Sequence, residues 1–271
     1  MTRGSASART ADTIAWDPSR GVFDPASLEG VDVVIHLGGV PVDARWTSAY
    51  KRAIASSRVE STALLARALA RVRPPSATFV AASAVGIYGD RGDETLDETS
   101  TLGTGFLADV GRAWEAAAGP ARDAGIRTIH PRFGIVLARQ GGALAKMLPP
   151  FELGAGGKIG SGTQWQSWIA RHDVVRAIEF LIDSESIAGP VNVTAPAPVS
   201  NADFARTLAH VLRRPALATI PAFALRLVYG ELADAALLAS QRAVPAVLER
   251  AGFVFAYPTL DAALRHELGR G

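Results

Sequence analysis

Val31-Asp32-Val33-Val34-Ile35-His36-Leu37-Gly38-Gly39 reads as a fully buried parallel strand that runs into a glycine turn. On either side of it, strand-like and helix-like segments alternate. Upstream, residues 13–16 make a short strand closed by Asp17-Pro18. Downstream, residues 46–72 form a long helix with Tyr50, Ile54, Leu64, Leu65 and Leu69 as apolar positions, stopped by Pro74-Pro75. Residues 78–83 are the next strand, and residues 105–118 are helical although Gly111 costs that helix about 1 kcal/mol. Residues 127–130 and 134–137 bracket a strand near Pro131, and residues 190–194 are another. This rhythm predicts an α/β fold, a doubly wound parallel sheet with helices on both faces. The segments 13–16, 31–37, 78–83 and 127–129 are expected in one sheet. After Ser200 the pattern becomes almost wholly helical, opened by the capping-box variant Ser200-Asn201-Ala202-Asp203.

Composition narrows the class. With 271 residues, of which 48% are hydrophobic, the chain can bury one or two solid cores. The formal net charge is +2, and Lys and Arg are scattered in runs no longer than Lys51-Arg52 or Arg213-Arg214, so no nucleic-acid partner is expected. Cysteine is absent, which excludes disulfides, thiolate zinc sites and a cysteine nucleophile. No apolar stretch approaches the ~18 residues of a membrane helix, and the first 20 residues lack a signal-peptide core. The expectation is a soluble cytoplasmic protein with a small-molecule substrate and no membrane partner. The five histidines show no metal-ligand spacing; His172-Asp173 is expected to cap the next helix, and no metal is expected.

Two stretches resemble the extended short-chain dehydrogenase/reductases: Ala82-Ser83-Ala84-Val85-Gly86-Ile87-Tyr88-Gly89-Asp90 and Ser167-Trp168-Ile169-Ala170-Arg171-His172-Asp173. Others are similar to their epimerase-like atypical subfamily: Trp16-Asp17-Pro18, Arg45-Trp46-Thr47, Ser57-Arg58, Trp114-Glu115, Gly141-Gly142-Ala143-Leu144, Met147-Leu148-Pro149-Pro150-Phe151, Gly160-Ser161-Gly162-Thr163-Gln164 and Gln241-Arg242-Ala243-Val244-Pro245. The resemblance runs over nearly the whole chain. It implies a Rossmann-like dinucleotide-binding domain over residues 1–150. Residues 151–271 would form a substrate-side, mostly helical region, with 171–195 returning to the sheet.

The resemblance also implies a first strand and a glycine-rich turn that this sequence lacks: its first 30 residues hold no G-x-x-G-x-x-G or G-x-G-x-x-G. Two explanations stand, a start codon placed too far downstream or a truncated protein that has lost its cofactor. Thr2-Arg3 resembles the end of the family's second strand. An Arg there suits a 2′-phosphate, so the implied cofactor is NADP, bound weakly or not at all by the chain as given. By resemblance its neighbours would be Arg3, Leu37, Gly38, Gly39, Arg58, Ala82 and Arg132.

Short-chain reductases use a Ser or Thr, a Tyr and a Lys four residues after the Tyr, which lowers the phenol's pKa. Here that helix reads Phe106-Leu107-Ala108-Asp109-Val110, with neither phenol nor ammonium. Ser83 is the candidate for the Ser/Thr role, within one residue of alignment, or else a strand-end hydroxyl bonded to backbone. Tyr88 could replace the lost acid or simply pack its loop. Lys146, Gly160, Gly162, Gln164 and Trp168 are expected on the substrate side, and the glycine run 154–162 is either a phosphate cradle or a plain loop. Asp93, Glu94, Asp97 and Glu98 read as a solvated polar loop. The sequence supports an NADP-dependent oxidoreductase or epimerase acting on a small polar, sugar-like substrate. The alternatives are a dinucleotide-binding protein without turnover and a defective fragment.

Overall fold

The computed structural model describes residues 14–72 and 78–270. Its centre is a parallel sheet. Strand β1 is Val33–His36, followed by helix α1, Ser48–Leu69. Strand β2 is Thr78–Ala81, helix α2 is Phe106–Ala116 and strand β3 is Arg127–Phe133. Helix α3, Arg171–Asp183, leads into strand β4, Gly189–Val193. The spatial order is β4-β3-β2-β1, all pairs parallel, and Ser83–Ala84 extends the sheet by pairing with Arg132 and Phe133. Among the described residues strand β1 is the outer strand; its Ile35 is 43% exposed and Leu37, just after it, 56%.

One expected strand lies elsewhere. Trp16–Asp17 does not join the sheet; it pairs antiparallel with Val22–Phe23 in a small hairpin. The Asp17 carboxylate accepts from the Arg20 amide, and Pro18 opens a tight 3₁₀ turn, so the chain folds back on itself. Thr13 and Pro74-Pro75 fall outside the described residues.

Local chemistry explains the helices. The Thr47 side chain accepts from the Tyr50 amide and starts α1. Gly111 sits inside α2 because a Cβ there would lie 2.9 Å from Cβ of Ile87; close packing, not helix propensity, sets that residue. Helix α4, Asn201–Leu212, is capped by Ser200, which accepts from the Asp203 amide as the capping box requires. His172-Asp173 does not cap α3: Ala170 is the N-cap, and Asp173 accepts instead from the Ala256 and Tyr257 amides. That bond ties the C-terminal segment to the sheet domain.

The region after Ser200 is not wholly helical. Ala218–Ile220 pairs parallel with Gly157–Ile159, and Arg242–Ala243 pairs parallel with Thr95–Leu96. Helices α5, Ala222–Tyr229, and α6, Leu260–Leu268, complete it, and α6 packs with α4 in one apolar core around Trp168, Phe204 and Leu264. At the amino end of the sheet, Arg127 donates to the carbonyls of Leu181, Ile182, Ser184 and Ile187 and to Thr78 Oγ1. This side chain holds the end of α3 and the turn into β4 against the first residues of β2 and β3.

Candidate functional site

A cavity of about 270 Å³ opens at the carboxyl ends of the parallel strands, where α/β sheets carry their ligands. The chain leaving β2 supplies Ala84 to Ile87, and the chain leaving β3 supplies Phe133, Gly134 and Ile135. Helix α1 contributes Ile54 and Arg58; α2 contributes Leu107, Val110, Gly111 and Trp114. Trp165, Gln166 and Ser167 form a further wall, and Ala235, Ala236, Ala239 and Gln241 close it. Its surface is dominated by aliphatic and aromatic side chains. The Ser167 hydroxyl is already engaged, donating to the Gln241 carbonyl and accepting from the Ala243 amide.

Behind this cavity lies a buried polar network. Ser83 and Ala84 are successive strand residues, so their side chains leave on opposite faces. Ser83 is buried and donates to Glu115 Oε1 at 2.7 Å, while Ala84 is exposed in the cavity wall. Glu115 receives both Nε and Nη2 of Arg132, at 2.8 and 2.9 Å, in a side-on fork. Arg132 Nη1 donates to the Tyr88 hydroxyl at 2.9 Å, and that hydroxyl donates to Asn192 Oδ1 at 2.8 Å. The Asn192 amide donates to Glu98.

Each ionisable group is held in one form. Burial raises the Glu115 carboxyl, but the bonds and charge of Arg132, with the Ser83 bond, outweigh it and hold the pKa below the ordinary value. Burial works against the Arg132 cation, yet Glu115 and Tyr88 raise it further. Burial pushes the Tyr88 phenol up, only partly offset by Arg132. Burial also lowers His130, and it takes His36 down to about 4.

The sequence candidates therefore separate. Ser83, Tyr88 and Arg132 meet, but in the network rather than in the cavity wall. Lys146 is exposed and paired with Asp43 at 2.7 Å. Trp168 is fully buried and donates to the Ala197 carbonyl, and Gln164 donates to the carbonyls of Ile159 and Leu237. Gly160 and Gly162 turn the chain at positive φ. All five lie outside this cavity, whose corresponding wall is the adjacent Trp165–Gln166–Ser167. In the run 154–162 several amides already have partners, with Ile159 donating to Asn201, Gly160 to Ile220 and Gly162 to Ile159, which leaves fewer for a phosphate. Glu98 is not a solvated loop acid either; it accepts from the amides of Asn192 and Val247.

On the other flank, the turn Leu37-Gly38-Gly39 follows β1, and the Ala82 amide donates to the His36 carbonyl. A Cβ on Gly39 would stand 3.0 Å from the Arg58 guanidinium carbon, so a side chain there would press on the Arg58 tip. Arg3 falls outside the described residues. Phe106 packs edge-on against Trp46 beneath Lys51 Nζ, away from the cavity, whereas Val110 lines it.

The family model described as the NAD dependent epimerase/dehydratase family matches residues 15–112, and a domain of unknown function, DUF1731, matches residues 220–267. An epimerase family protein of Mycobacterium bovis is 43% identical over 260 residues, covering 96% of this chain and 86% of that protein. The chain belongs to the epimerase family. The epimerase family protein YfhF of Bacillus subtilis is 38% identical, over 91% of this chain and 81% of its own length. The structure of human epimerase family protein SDR39U1 with NADPH superposes with a TM-score of 0.84 at 31% identity, covering 90% of this chain and 86% of that one.

In this epimerase-family chain the DUF1731 segment supplies the cavity wall from Ala235 to Gln241. Glu115, Asn192 and Ala84 are among the site residues that sequence reasoning missed. Strand alternation was the available signal for Ala84. For Glu115 it was an acid following Trp114, one turn along α2 from the buried Gly111. Among the described residues no helix is long and apolar enough to cross a membrane, and no cluster of His, Asp or Glu could hold a metal.

Proposed function

We propose that this chain is an NADP-dependent oxidoreductase or epimerase-like protein whose small-molecule substrate enters the 270 Å³ cavity. The observation that carries the reading is the cavity's place, at the carboxyl ends of parallel strands and beside the Leu37–Gly39 turn. The residues fit a dinucleotide: Gly39 leaves a face that any Cβ would fill, next to the cation of Arg58. Leu37, Gly38, Gly39 and Ala82 would present backbone to the cofactor, Arg3 would meet a 2′-phosphate, and Arg58 would stand between them and the substrate cavity. When bound, the nicotinamide supplies or accepts hydride. The chain's own contribution is a water-poor, mostly apolar enclosure that orients the reacting carbon. Ser83, Tyr88 and Arg132 act as positioning residues: their hydrogen bonds fix the strand ends that carry Ala84 and Phe133. On the substrate side, Gln164 and Trp168 brace the Trp165–Ser167 wall, and the turns at Gly160 and Gly162, with Lys146, lie further out.

The absence of a proton donor in the wall at Ala84, Leu107 and Val110 supports a second reading, cofactor binding without turnover. Titration of NADPH fluorescence with the protein, followed by nicotinamide absorbance with a panel of carbonyl compounds, separates the two. Weak but saturable binding with hydride exchange is expected. Binding without exchange would leave the second reading, and absence of binding would overturn both.

A further inference from the structure

Arg58 and Arg132 are a matched pair with one difference. Arg132 directs Nη1 to a neutral oxygen and its side-on fork, Nε and Nη2, to both oxygens of Glu115. Arg58 also directs Nη1 to neutral oxygens, the carbonyls of Val40 and Ile54 at 2.9 and 3.2 Å. Its Nε and Nη2 have no hydrogen-bond partner, and no carboxylate pairs with it, among the described residues. The guanidinium is held in place by stacking over Trp114, 5.1 Å away, and both residues line the cavity. A planar fork of this kind matches a carboxylate in geometry as well as charge. The rest of the wall near it, Ile54, Leu107, Val110 and Ile135, offers only apolar contact. The volume is on the scale of a small molecule.

We propose that the cavity binds a small carboxylate with an apolar body, with the Arg58 fork holding the carboxylate as Arg132 holds Glu115. This narrows the sugar-like expectation from the sequence, and it rests on the cavity being the substrate site. The shared chemistry is an oxyanion on Arg58, which a phosphate of the dinucleotide could also provide, so the test separates the two.

The probes are 3-phenylpropionate and its neutral amide, titrated calorimetrically into the protein without cofactor, with NADPH titrated separately. The carboxylate is expected to bind at least about 10-fold more tightly than the amide, the scale of a charge-assisted bidentate contact. Arg58→Gln is expected to abolish that preference while leaving amide binding in place, and Arg58→Lys to keep part of it. Ala236→Trp, which fills the cavity from another wall, is expected to weaken both probes. Equal affinity for the two probes in the unaltered protein would overturn the proposal. So would an unchanged preference in Arg58→Gln, with NADPH binding weakened instead, because the fork would then serve the cofactor's phosphate. Insensitivity to Ala236→Trp would place the carboxylate elsewhere and also overturn it. Should Arg58→Gln fail to fold, the probe preference and the Arg58→Lys and Ala236→Trp results decide. Failure of the cofactor reading is registered by the NADPH titration alone.

Discussion

Around Arg132 each strong hydrogen-bonding side chain has found its partner, from Ser83 through Glu115 and Tyr88 to Asn192. Around Arg58, a short way across the same end of the sheet, a cation is left with two carbonyls and an apolar cavity. The Arg132 region contains the residue types that suggest catalysis and uses them to hold structure. The Arg58 region, marked in sequence only by Ser57-Arg58 and the Gly38-Gly39 turn, carries the unsatisfied chemistry. A buried network that is nearly satisfied, here with Glu98 Oε2 left unpartnered at its edge, stabilises and specifies a fold, whereas an unsatisfied cation beside a cavity invites a ligand.

The largest test of this contrast is Glu115→Ala. It strands the buried Arg132 cation, and removing one partner of a buried pair costs about 3–5 kcal/mol. Urea unfolding should show that loss, and a loss below about 1 kcal/mol would mean the network is not structural. The same carboxylate has an acid signature. Its folded pKa lies below its unfolded value of 4.5, so its contribution is present above pH 4.5 and disappears as pH falls through the lowered value.

His36, at the end of β1, gives the next effect. Its folded pKa is about 4 against 6.5 unfolded, because burial keeps the ring neutral, with Ser61 Oγ 2.8 Å from Nε2. The unfolded chain therefore takes up the proton first. Stability is complete above pH 6.5 and falls by roughly 3 kcal/mol as pH drops to 4. Melting of the protein and of His36→Asn across that range should diverge; parallel curves would remove His36 from the acid response.

Tyr88→Phe should cost about 1–2 kcal/mol, since Arg132 and Asn192 lose a shared partner without losing packing. Probe binding in the cavity should not change, and a change larger than about threefold would show that the two regions are coupled. The smallest effect belongs to Ala84→Ser. The new hydroxyl faces the cavity, so stability should move by no more than about 0.5 kcal/mol. A larger destabilisation would show that this wall is packed shut.

The sheet was legible because its strands are apolar and β-branched and its helices carry their own caps, as at Thr47 and Ser200. The strand expected at Trp16 was not, because a two-residue hairpin and a buried strand share the same short apolar run, and only Asp17-Pro18 told them apart. The site was half legible. Ser83 and Tyr88 stand out as catalytic candidates and Arg132 as a cofactor neighbour, but hydroxyl and guanidinium types alone do not reveal which way a strand turns them. Ser83 faces Glu115 and leaves Ala84 in the wall, a consequence of a one-residue step. Glu115 stayed hidden because its partner is 17 residues away in sequence.

The Arg127 cage sits at the far end of β3 from the cavity. Five oxygens from α3, the turn after it and the start of β2 converge on one guanidinium there. The two poles of the molecule therefore answer to different pressures. Drift near Arg127 registers as a fold that lasts a shorter or longer time, and drift near Ala84 and Arg58 registers as a change in what is admitted. A lineage can revise its diet at one pole while its architecture is held constant from the other.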